Sequence, residues 1–332
     1  MDREELASNL LEKGLLQSKE VTFTALSGGV SCEILLVDDG SARFVVKRAL
    51  KKLKVKDDWF ADVRRNITEQ EYLRYVGGIL PAAVPQIIYA DNERYFFCME
   101  MIEGGMTTWK SRLLERDYNS SYAQLAGKYL GVVHRSSIDE QAVHEKFDTA
   151  KDFYELRIDP YLLKTGDRHP RLKKYFIEEA DRISDTARCL IHGDYSPKNL
   201  MVGEGRLVIL DCEVACFGDP VFDLAFLLNH LFLKSIHQKK DAQKLFVLVG
   251  DVWKSYQKAA GAVVDQGFEA RLCHLIPMLM LARIDGKSPA EYLSDESQQS
   301  VREFSYTAIP FPQKKLDEFC HQWADFMSVE KA

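Results

Sequence analysis

The sequence predicts an α+β protein with two lobes, a β-rich N-terminal lobe and a mainly helical C-terminal lobe. Roughly the first hundred residues read as short apolar strands separated by turn residues. From Thr107 onward the apolar residues recur mostly at helical spacing, which predicts helices. The glycine-rich junction Glu103-Gly104-Gly105 separates the two patterns. We therefore place the lobes at residues 1–103 and 104–332.

The composition is that of a globular protein without a polyanionic partner. The 332 residues are 46% hydrophobic and 28% charged, which provides enough apolar mass for one or two cores. A formal net charge of -6 argues against nucleic-acid binding, which usually needs a positive surface. The seven cysteines lack the paired spacing of zinc sites and favour reduced, buried thiols. An acidic start and the absence of a long apolar run predict a cytoplasmic protein that does not bind a membrane.

The elements of the N-terminal lobe follow one another as a β-meander. A short first helix is expected to end near Gly14, which suits a helix C-terminus. Residues 21–26 and 32–37 read as strands, and Asp39-Gly40 is a strong hairpin turn into a third strand at 43–47.

A helix and two further strands complete this lobe. Apolar residues at helical spacing predict a helix at 68–76, which Gly77-Gly78 is expected to end. Strands are predicted at 86–90 and 95–101, and a long helix at 122–135 begins the helical pattern.

A strand-rich island at 189–210 interrupts the helical pattern and carries the clearest chemical signal. Two short apolar strands joined by a tight turn would bring Asp194, Asn199 and Asp211 close together at the strand ends. This pattern is typical of phosphoryl transfer, in which one carboxylate orients the nucleophile while an amide and a second carboxylate bind magnesium. Oxygen ligands suit that hard cation.

Three segments of the chain match a known family: His192 to Asn199 (HGDYSPKN), Asp211 to Glu213 (DCE), and Gly218 to Asp223 (GDPVFD). They resemble the aminoglycoside phosphotransferase and choline kinase group of small-molecule kinases, which share the protein-kinase fold. The resemblance implies that Asp194 is the catalytic base and that Asn199 and Asp211 hold Mg²⁺. It also implies that Asp223 supports the catalytic loop, although Asp223 also fits the N-cap of the apolar helix that follows it. His192 reads as a structural, buried imidazole in that loop.

The N-terminal lobe contains candidates for binding a nucleotide. The loop Ser27-Gly28-Gly29 lies between two predicted strands, where glycine would let backbone amides approach phosphates, although a plain hairpin turn fits equally well. Lys47 ends an apolar strand, where a charge needs a partner or a ligand. Glu69 and Glu71 compete for the role of that partner, and the resemblance favours Glu69.

The segment at the junction of the lobes corresponds to the hinge that binds adenine in kinases. By resemblance, the backbone groups of Glu100 and Ile102 would bond to the base, and Met99 would lie beside it. A methionine in an apolar strand also fits an ordinary core position.

The acceptor site is predicted from carboxylates in the C-terminal lobe. Asp152 and Glu155, interleaved with aromatic residues, and Glu213 would attract a cationic amine. The segment also reads as a solvated helix in which Arg157 pairs with the neighbouring acids.

Together these features predict a phosphotransferase that moves the terminal phosphate of ATP, or of GTP, to a hydroxyl group of a small molecule such as an aminoglycoside or an amino alcohol. One alternative is a methylthioribose-type sugar kinase, which the residues after Asp211 also resemble but for which Asn199 is unusual. Another is a catalytically silent nucleotide-binding protein with the same fold.

Overall fold

The computed structural model describes residues 2–26, 32–50 and 62–329. All seven cysteines lie within these ranges, and all are free thiols, as the sequence predicts. Six of them are buried, and Cys320 is partly exposed. Among the helices in the described ranges, none is both long enough and apolar enough to cross a membrane.

The chain divides into two compact units. The first unit comprises Met1–Met106 together with Val208–Glu213, and the second comprises Thr107–Leu207 and Val214–Ala332. The first unit is therefore discontinuous in sequence, because a short segment from the strand-rich island belongs to it.

The first unit is built on a five-stranded antiparallel sheet with the strand order β1-β2-β3-β5-β4. The central strand, β3, pairs with β2 on one side and β5 on the other, so that Lys47 lies opposite Ile34 and Phe97. The elements of this unit are β1 (Thr22–Ala25), β2 (Cys32–Asp38), β3 (Arg43–Ala49), β4 (Ile87–Asp91), β5 (Phe96–Glu100), α1 (Arg3–Glu12) and α2 (Arg65–Ile79).

Helix α1 packs on the sheet and ends in a Schellman motif. Leu10 belongs to the same buried cluster as Phe44 and Phe96 of the sheet. Gly14 has φ +71° and donates its N–H to the carbonyl of Leu11, while the next amide donates to the carbonyl of Leu10 at 2.9 Å. Gly14 thus ends the helix in the left-handed conformation that glycine adopts without strain.

Helix α2 is longer than the sequence predicts. It passes through Gly77-Gly78 and ends at Ile79, so the expected stop at the glycine pair is wrong. Leu80 leaves the helical region with φ -139° and ψ 70°, because the residue before a proline, here Pro81, is sterically driven out of the α conformation. Proline is therefore the stronger stop signal in this segment.

The second unit is mainly helical, with short strands around the strand-rich island. Strand β7 pairs with β10, and β6, β8 and β9 form a three-stranded sheet. The elements are β6 (Thr107–Thr108), α3 (Trp109–Leu114), α4 (Ser120–Ser137), α5 (Gln141–Lys146), α6 (Ala150–Phe153), a π-helix (Tyr154–Leu163), α7 (Lys164–Arg168), α8 (Lys173–Ser184), β7 (Cys189–Ile191), β8 (Leu200–Gly203), β9 (Arg206–Ile209, which ends in the first unit), β10 (Cys216–Gly218), α9 (Pro220–His237), α10 (Ala242–Ala260), α11 (Phe268–Asp285), α12 (Asp295–Ala308) and α13 (Leu316–Val329).

Helix α9 runs through the core of the second unit. Its N-cap is Asp219, whose carboxylate accepts the N–H of Val221 at 3.0 Å, and Pro220 occupies the first helical position. Asp223 is therefore not the cap but lies in the first turn of the helix, fully buried. This position leaves its carboxylate available for the loop after β7.

Candidate active site

Lys47 is the centre of a buried ionic cluster in the first unit. Its side chain is only 3% exposed, and its Nζ lies 2.7 Å from Glu69 Oε1 and 2.7 Å from Asp211 Oδ1. Strand β3 carries the lysine, helix α2 carries the glutamate, and Asp211 follows β9. Glu71 instead binds Arg74 at 2.6 Å, so Glu69 is the residue that pairs with Lys47.

The cluster keeps Lys47 charged. Burial alone would lower the pKa of Lys47, but the carboxylates of Asp211 and Glu69 reverse this effect and raise its pKa well above the ordinary value. Asp211 is held with φ +63°, a left-handed conformation that costs backbone strain in a residue with a side chain. That conformation carries the carboxylate that contacts Lys47.

Glu213 also belongs to this cluster. Its Oε2 lies 2.9 Å from Nε of the buried Arg65 and 3.3 Å from the thiol of Cys32. Oxygens of Glu69, Asp211 and Glu213 lie within 4.8 Å of one another, and such a set of carboxylates can hold a hard divalent cation. Asp211 is the most open of the three, with its side chain 21% exposed, and this fits the metal-ligand role predicted for it.

In the second unit, Asp223 fixes the loop that follows β7. Its two oxygens accept the N–H of His192 at 2.6 Å and the N–H of Gly193 at 2.8 Å. His134 Nε2 lies 3.3 Å from the same carboxylate. Gly193 has φ +75°, and a Cβ there would lie 2.7 Å from the carbonyl oxygen of Val214, so only glycine fits.

His192 takes part in the same network. Its Nδ1 accepts the N–H of Asp194 at 3.1 Å, and its ring packs edge-on against Tyr195. The contacts of His192 and Asp223 are thus those of residues that hold the backbone of a loop.

Asp194 is buried and bound by two cations. Its Oδ2 lies 2.9 Å from Nη2 of Arg157 and 3.1 Å from Nζ of Lys198. Arg157 also donates its Nε–H to the carbonyl of Gly193 at 2.7 Å. The alternative interpretation of this segment is a solvated helix in which Arg157 pairs with the neighbouring acids. Arg157 instead points from the π-helix to the loop. No local spacing in the sequence reveals this contact.

Asn199 lies in the same loop, 5% exposed. Its Nδ2–H donates to the carbonyl of Asp194 at 2.9 Å, which fixes the amide plane. Among the described residues, none donates a hydrogen bond to its side-chain oxygen, so that atom is suited to binding a cation.

A cleft in the second unit has Asp194 in its wall. Apart from Lys198, which lies in the same loop as Asp194, the other polar lining residues come from separate helices and from the segment after α11, and sequence reasoning did not bring them together. The polar lining besides Asp194 comprises Lys110, Lys198, His230, Lys234, Arg283, Ser288, Glu291, Tyr161 and Tyr292.

The residues predicted to bind the acceptor lie elsewhere. Glu155 is exposed and lies 3.8 Å from Lys151, and Asp152 is partly buried. Neither lines the cleft beside Asp194, and Glu213 belongs to the first unit. Their role in acceptor binding stays a prediction.

The residues predicted to bind the nucleotide are described in part. Met99 and Glu100 are the last two residues of β5, and Ile102 follows in a segment without regular structure. The amide of Glu100 donates to the carbonyl of Gln86 at 2.9 Å. The loop Ser27-Gly28-Gly29 lies outside the described residues.

Comparison with known proteins identifies the family. The model of the phosphotransferase enzyme family matches residues 22–244, about two thirds of the chain. The chain belongs to this phosphotransferase family. The match includes Lys47, Asp194 and Asp211, and it confirms the family predicted from the sequence.

Curated relatives of this phosphotransferase include methylthioribose kinases. The one from Bacillus velezensis is 25% identical over 282 residues, which cover 76% of this chain and 71% of that protein. The one from Pectobacterium atrosepticum is 26% identical over 221 residues, covering 58% and 55%. The match to the second relative thus spans little more than half of its length.

Solved structures confirm the kinase-like fold of the phosphotransferase. An amicoumacin kinase in complex with AMP-PNP, Ca²⁺ and Ami aligns with a TM-score of 0.59 at 15% identity, covering 97% of this chain and 99% of that one. A streptomycin-ATP-APH(2")-IIa complex aligns with a TM-score of 0.53 at 18% identity, covering 93% and 98%.

Proposed function

We propose that the protein transfers the terminal phosphoryl group of ATP to a hydroxyl group of a small molecule. The observation that carries the proposal is the contact of Lys47 with both Glu69 and Asp211, at 2.7 Å each. In kinases a lysine held by a glutamate orients the nucleotide phosphates, and an aspartate near it binds the metal. Complexes with AMP-PNP and with ATP among proteins of similar fold support the choice of nucleotide.

The chain's own residues would position the reactants. Lys47 would bind the phosphates of ATP. Asn199 and Asp211 would hold Mg²⁺, which would supply positive charge to neutralise the transferred group. The acceptor oxygen forms a bond to the terminal phosphorus, and the bond from that phosphorus to the bridging oxygen breaks, so that ADP leaves. The acceptor's hydroxyl proton passes to the carboxylate of Asp194.

The test is a transfer assay on the purified chain with Mg-ATP. Aminoglycosides, amino alcohols and small sugars are incubated separately, and the product masses are measured. We expect a gain of one phosphoryl group on at least one acceptor and none with Asp194→Asn. Binding of Mg-ATP without transfer to any acceptor would favour the silent nucleotide-binding alternative.

A second candidate function is sugar phosphorylation. The similarity to methylthioribose kinases, at 25% and 26% identity, favours it. Phosphorylation of methylthioribose, with no transfer to amines, would identify this activity. For either acceptor the free cysteines and the need for ATP suit the cytoplasm as the compartment.

A further inference from the structure

The cleft beside Asp194 carries an excess of positive charge. Four of its lining side chains are cations and two are acids. Asp194 is already bound by Arg157 and Lys198. The remaining cations, Lys110, Lys234 and Arg283, form no ion pair with a carboxylate of the described residues.

Lys234 is the most unusual of these cations, because it lies on the core helix α9 and is only 1% exposed. Its Nζ lies 5.0 Å from the centre of the Tyr292 ring, a cation-π contact that only partly replaces water. Burial, followed by the charges of Lys110 and Arg283, lowers the pKa of Lys234 to about 7. A lysine is seldom buried without a counter-ion, since the desolvation cost is large.

The pKa of the Tyr161 hydroxyl shows the effect of two cations near the cleft. Burial alone would raise the pKa of its hydroxyl, yet the positive charges of Arg283 and Arg157 lower it below the ordinary value. The neighbouring imidazole of His230 has its pKa lowered by burial and by Arg283 and Lys234. Both side chains therefore experience a positive field in the cleft.

Two polar groups in the cleft wall lack partners. The buried hydroxyl of Tyr292 and the buried Nε–H of Arg283 make no hydrogen bond within the described part of the chain. Arg283 is oriented by a bond from Nη1 to the Ser288 hydroxyl at 2.8 Å. Unsatisfied buried polar groups are rare in proteins, and a bound water, ion or ligand is one explanation for them.

We infer that the acceptor is an anionic hydroxyl compound, whose carboxylate or phosphate group binds Lys234, Arg283 and Tyr292 while its hydroxyl group faces Asp194. The inference rests on the proposed function and names the charge of its acceptor. It departs from the cationic amine that the sequence predicts. Arg283 and Tyr292 lie beyond the residues matched by the family model, whereas Lys234 lies within them.

The charge of the acceptor is tested with compounds that share a carbon skeleton. Glucose, glucosamine, gluconate and glucose 6-phosphate form one set, and glycerol, serinol, glycerate and glycerol 3-phosphate form another. We expect the anionic members to have a kcat/KM at least about tenfold above the neutral and cationic members, as one charge-assisted hydrogen bond provides. Comparing the carboxylate members with the phosphate members shows which of the two anionic groups the cleft prefers. Preference for a neutral or cationic member would overturn the inference but leave the proposed function intact.

The site is tested with Lys234→Met, which keeps the length of the side chain but removes its charge. We expect the KM of the best anionic acceptor to rise roughly ten- to hundredfold while the KM of ATP stays unchanged. Lys258→Gln, at an exposed position of α10, is the control and should change neither. A rise in the KM of ATP alone would mean that Lys234 serves the nucleotide, and the inference would be wrong.

A binding measurement decides the case in which no member of the panel is phosphorylated. The full chain is first saturated with Mg-AMP-PNP, and gluconate or glucose 6-phosphate is then titrated in a calorimeter. Heat of binding that Lys234→Met abolishes supports the inference, and absence of binding overturns it. The proposed function fails separately, if Mg-AMP-PNP itself does not bind.

Discussion

The carboxylate of Asp194 is held on one side by Arg157 and Lys198, which leaves little freedom for its orientation. A base held in this way can meet the acceptor hydroxyl without losing further conformational entropy.

Replacing Asp194, the proposed base, should abolish phosphoryl transfer but should not prevent Mg-ATP from binding. Asp194→Asn removes the proton acceptor at nearly constant volume, so we expect kcat to fall about a hundred- to ten-thousandfold. The affinity for Mg-ATP, measured by calorimetry, should stay within a few-fold. Asp181→Asn, at an exposed position of α8, is the matched control. A variant that keeps a tenth of the wild-type turnover would contradict the base assignment.

If Asp194 is the base, as proposed, Arg157 would act through it as a positioning residue. Arg157→Lys keeps the charge but cannot contact the Gly193 carbonyl and the Asp194 carboxylate together. We expect kcat to fall at least about tenfold, the value of one charge-assisted hydrogen bond, and the KM of ATP to stay unchanged. Arg157→Ala should be slower still, so partial rescue by lysine is the diagnostic result. Equal losses in both variants would refute the role of the retained charge.

Acceptor binding should depend on pH through Lys234, whose folded-state pKa of about 7 lies far below its ordinary value. The KM of an anionic acceptor should rise as pH increases through that value, because the lysine loses its charge. Initial rates on both sides of neutrality measure this, and Lys234→Met should flatten the profile. The charged and titratable groups that face the cleft with it are Lys110, Lys198, His230, Arg283, Glu291, Tyr161 and Tyr292.

The lowered pKa of Lys234 also affects stability, but in the opposite direction: acceptor binding should weaken as pH rises, whereas the lysine's contribution to the free energy of unfolding should increase. Between about pH 7 and its ordinary pKa, the lysine is protonated in the unfolded chain but not in the fold. Unfolding therefore takes up a proton, and the lysine's contribution to the free energy of unfolding rises with pH in this window. Lys234→Met should remove that rise, as thermal melts at several pH values would reveal. An unchanged slope would contradict the low pKa.

At the scale of elements, the first turn of helix α9 stabilises the catalytic loop. Asp223→Ala would leave the amides of His192 and Gly193 buried without an acceptor. We expect the free energy of unfolding to fall by about 2–6 kcal/mol, since each such amide costs about 1–3 kcal/mol. Urea titration measures the loss. Ser294→Ala, at the N-cap of α12, should cost only about 1 kcal/mol and is the comparison. Equal losses in the two variants would contradict the anchoring role.

Helices, strands and turns could be predicted from the sequence where neighbouring residues alone determine them. The turn at Asp39-Gly40, the end of α1 at Gly14 and all five strands of the first sheet follow from turn residues and alternation. The end of α2 was predicted wrongly because a glycine pair weakens a helix, whereas Pro81 stops it. The π-helix Tyr154–Leu163 has no sequence signal of this kind, since its hydrogen-bond pattern is fixed by tertiary packing.

At the scale of the whole molecule, Mg-ATP should stabilise the protein by mass action, because it binds only the folded state. Asp211→Asn should lose the magnesium-dependent part of this stabilisation, since a neutral amide is a weaker ligand for a hard cation. Melting temperatures with ATP, with and without Mg²⁺, measure the effect. Lys47→Ala is the comparison and should retain part of the magnesium dependence. An unchanged magnesium response in Asp211→Asn would reject the metal assignment.

The site residues that the sequence predicted lie close together along the chain, whereas those that it missed lie far apart. Asp194 and Asn199 lie five positions apart in one motif, so family resemblance and chemistry both point to them. Lys110, Lys234 and Arg283 come from three helices separated by long stretches of sequence, and only the fold brings them to one cleft. Charge composition, with its net value of -6, gave no sign of this local positive field.

The discontinuity of the first unit has a consequence for synthesis on the ribosome. When Met106 emerges, Lys47 and Arg65 still lack Asp211 and Glu213, the carboxylates that bind them in the finished protein. Roughly a hundred more residues must be translated, which takes about 5–20 s at 5–20 residues per second. During that delay a nascent chain that folded early would bury two cations with incomplete compensation. The order of translation therefore delays completion of the first unit until the whole loop that carries Asp194 and Asn199 has been made.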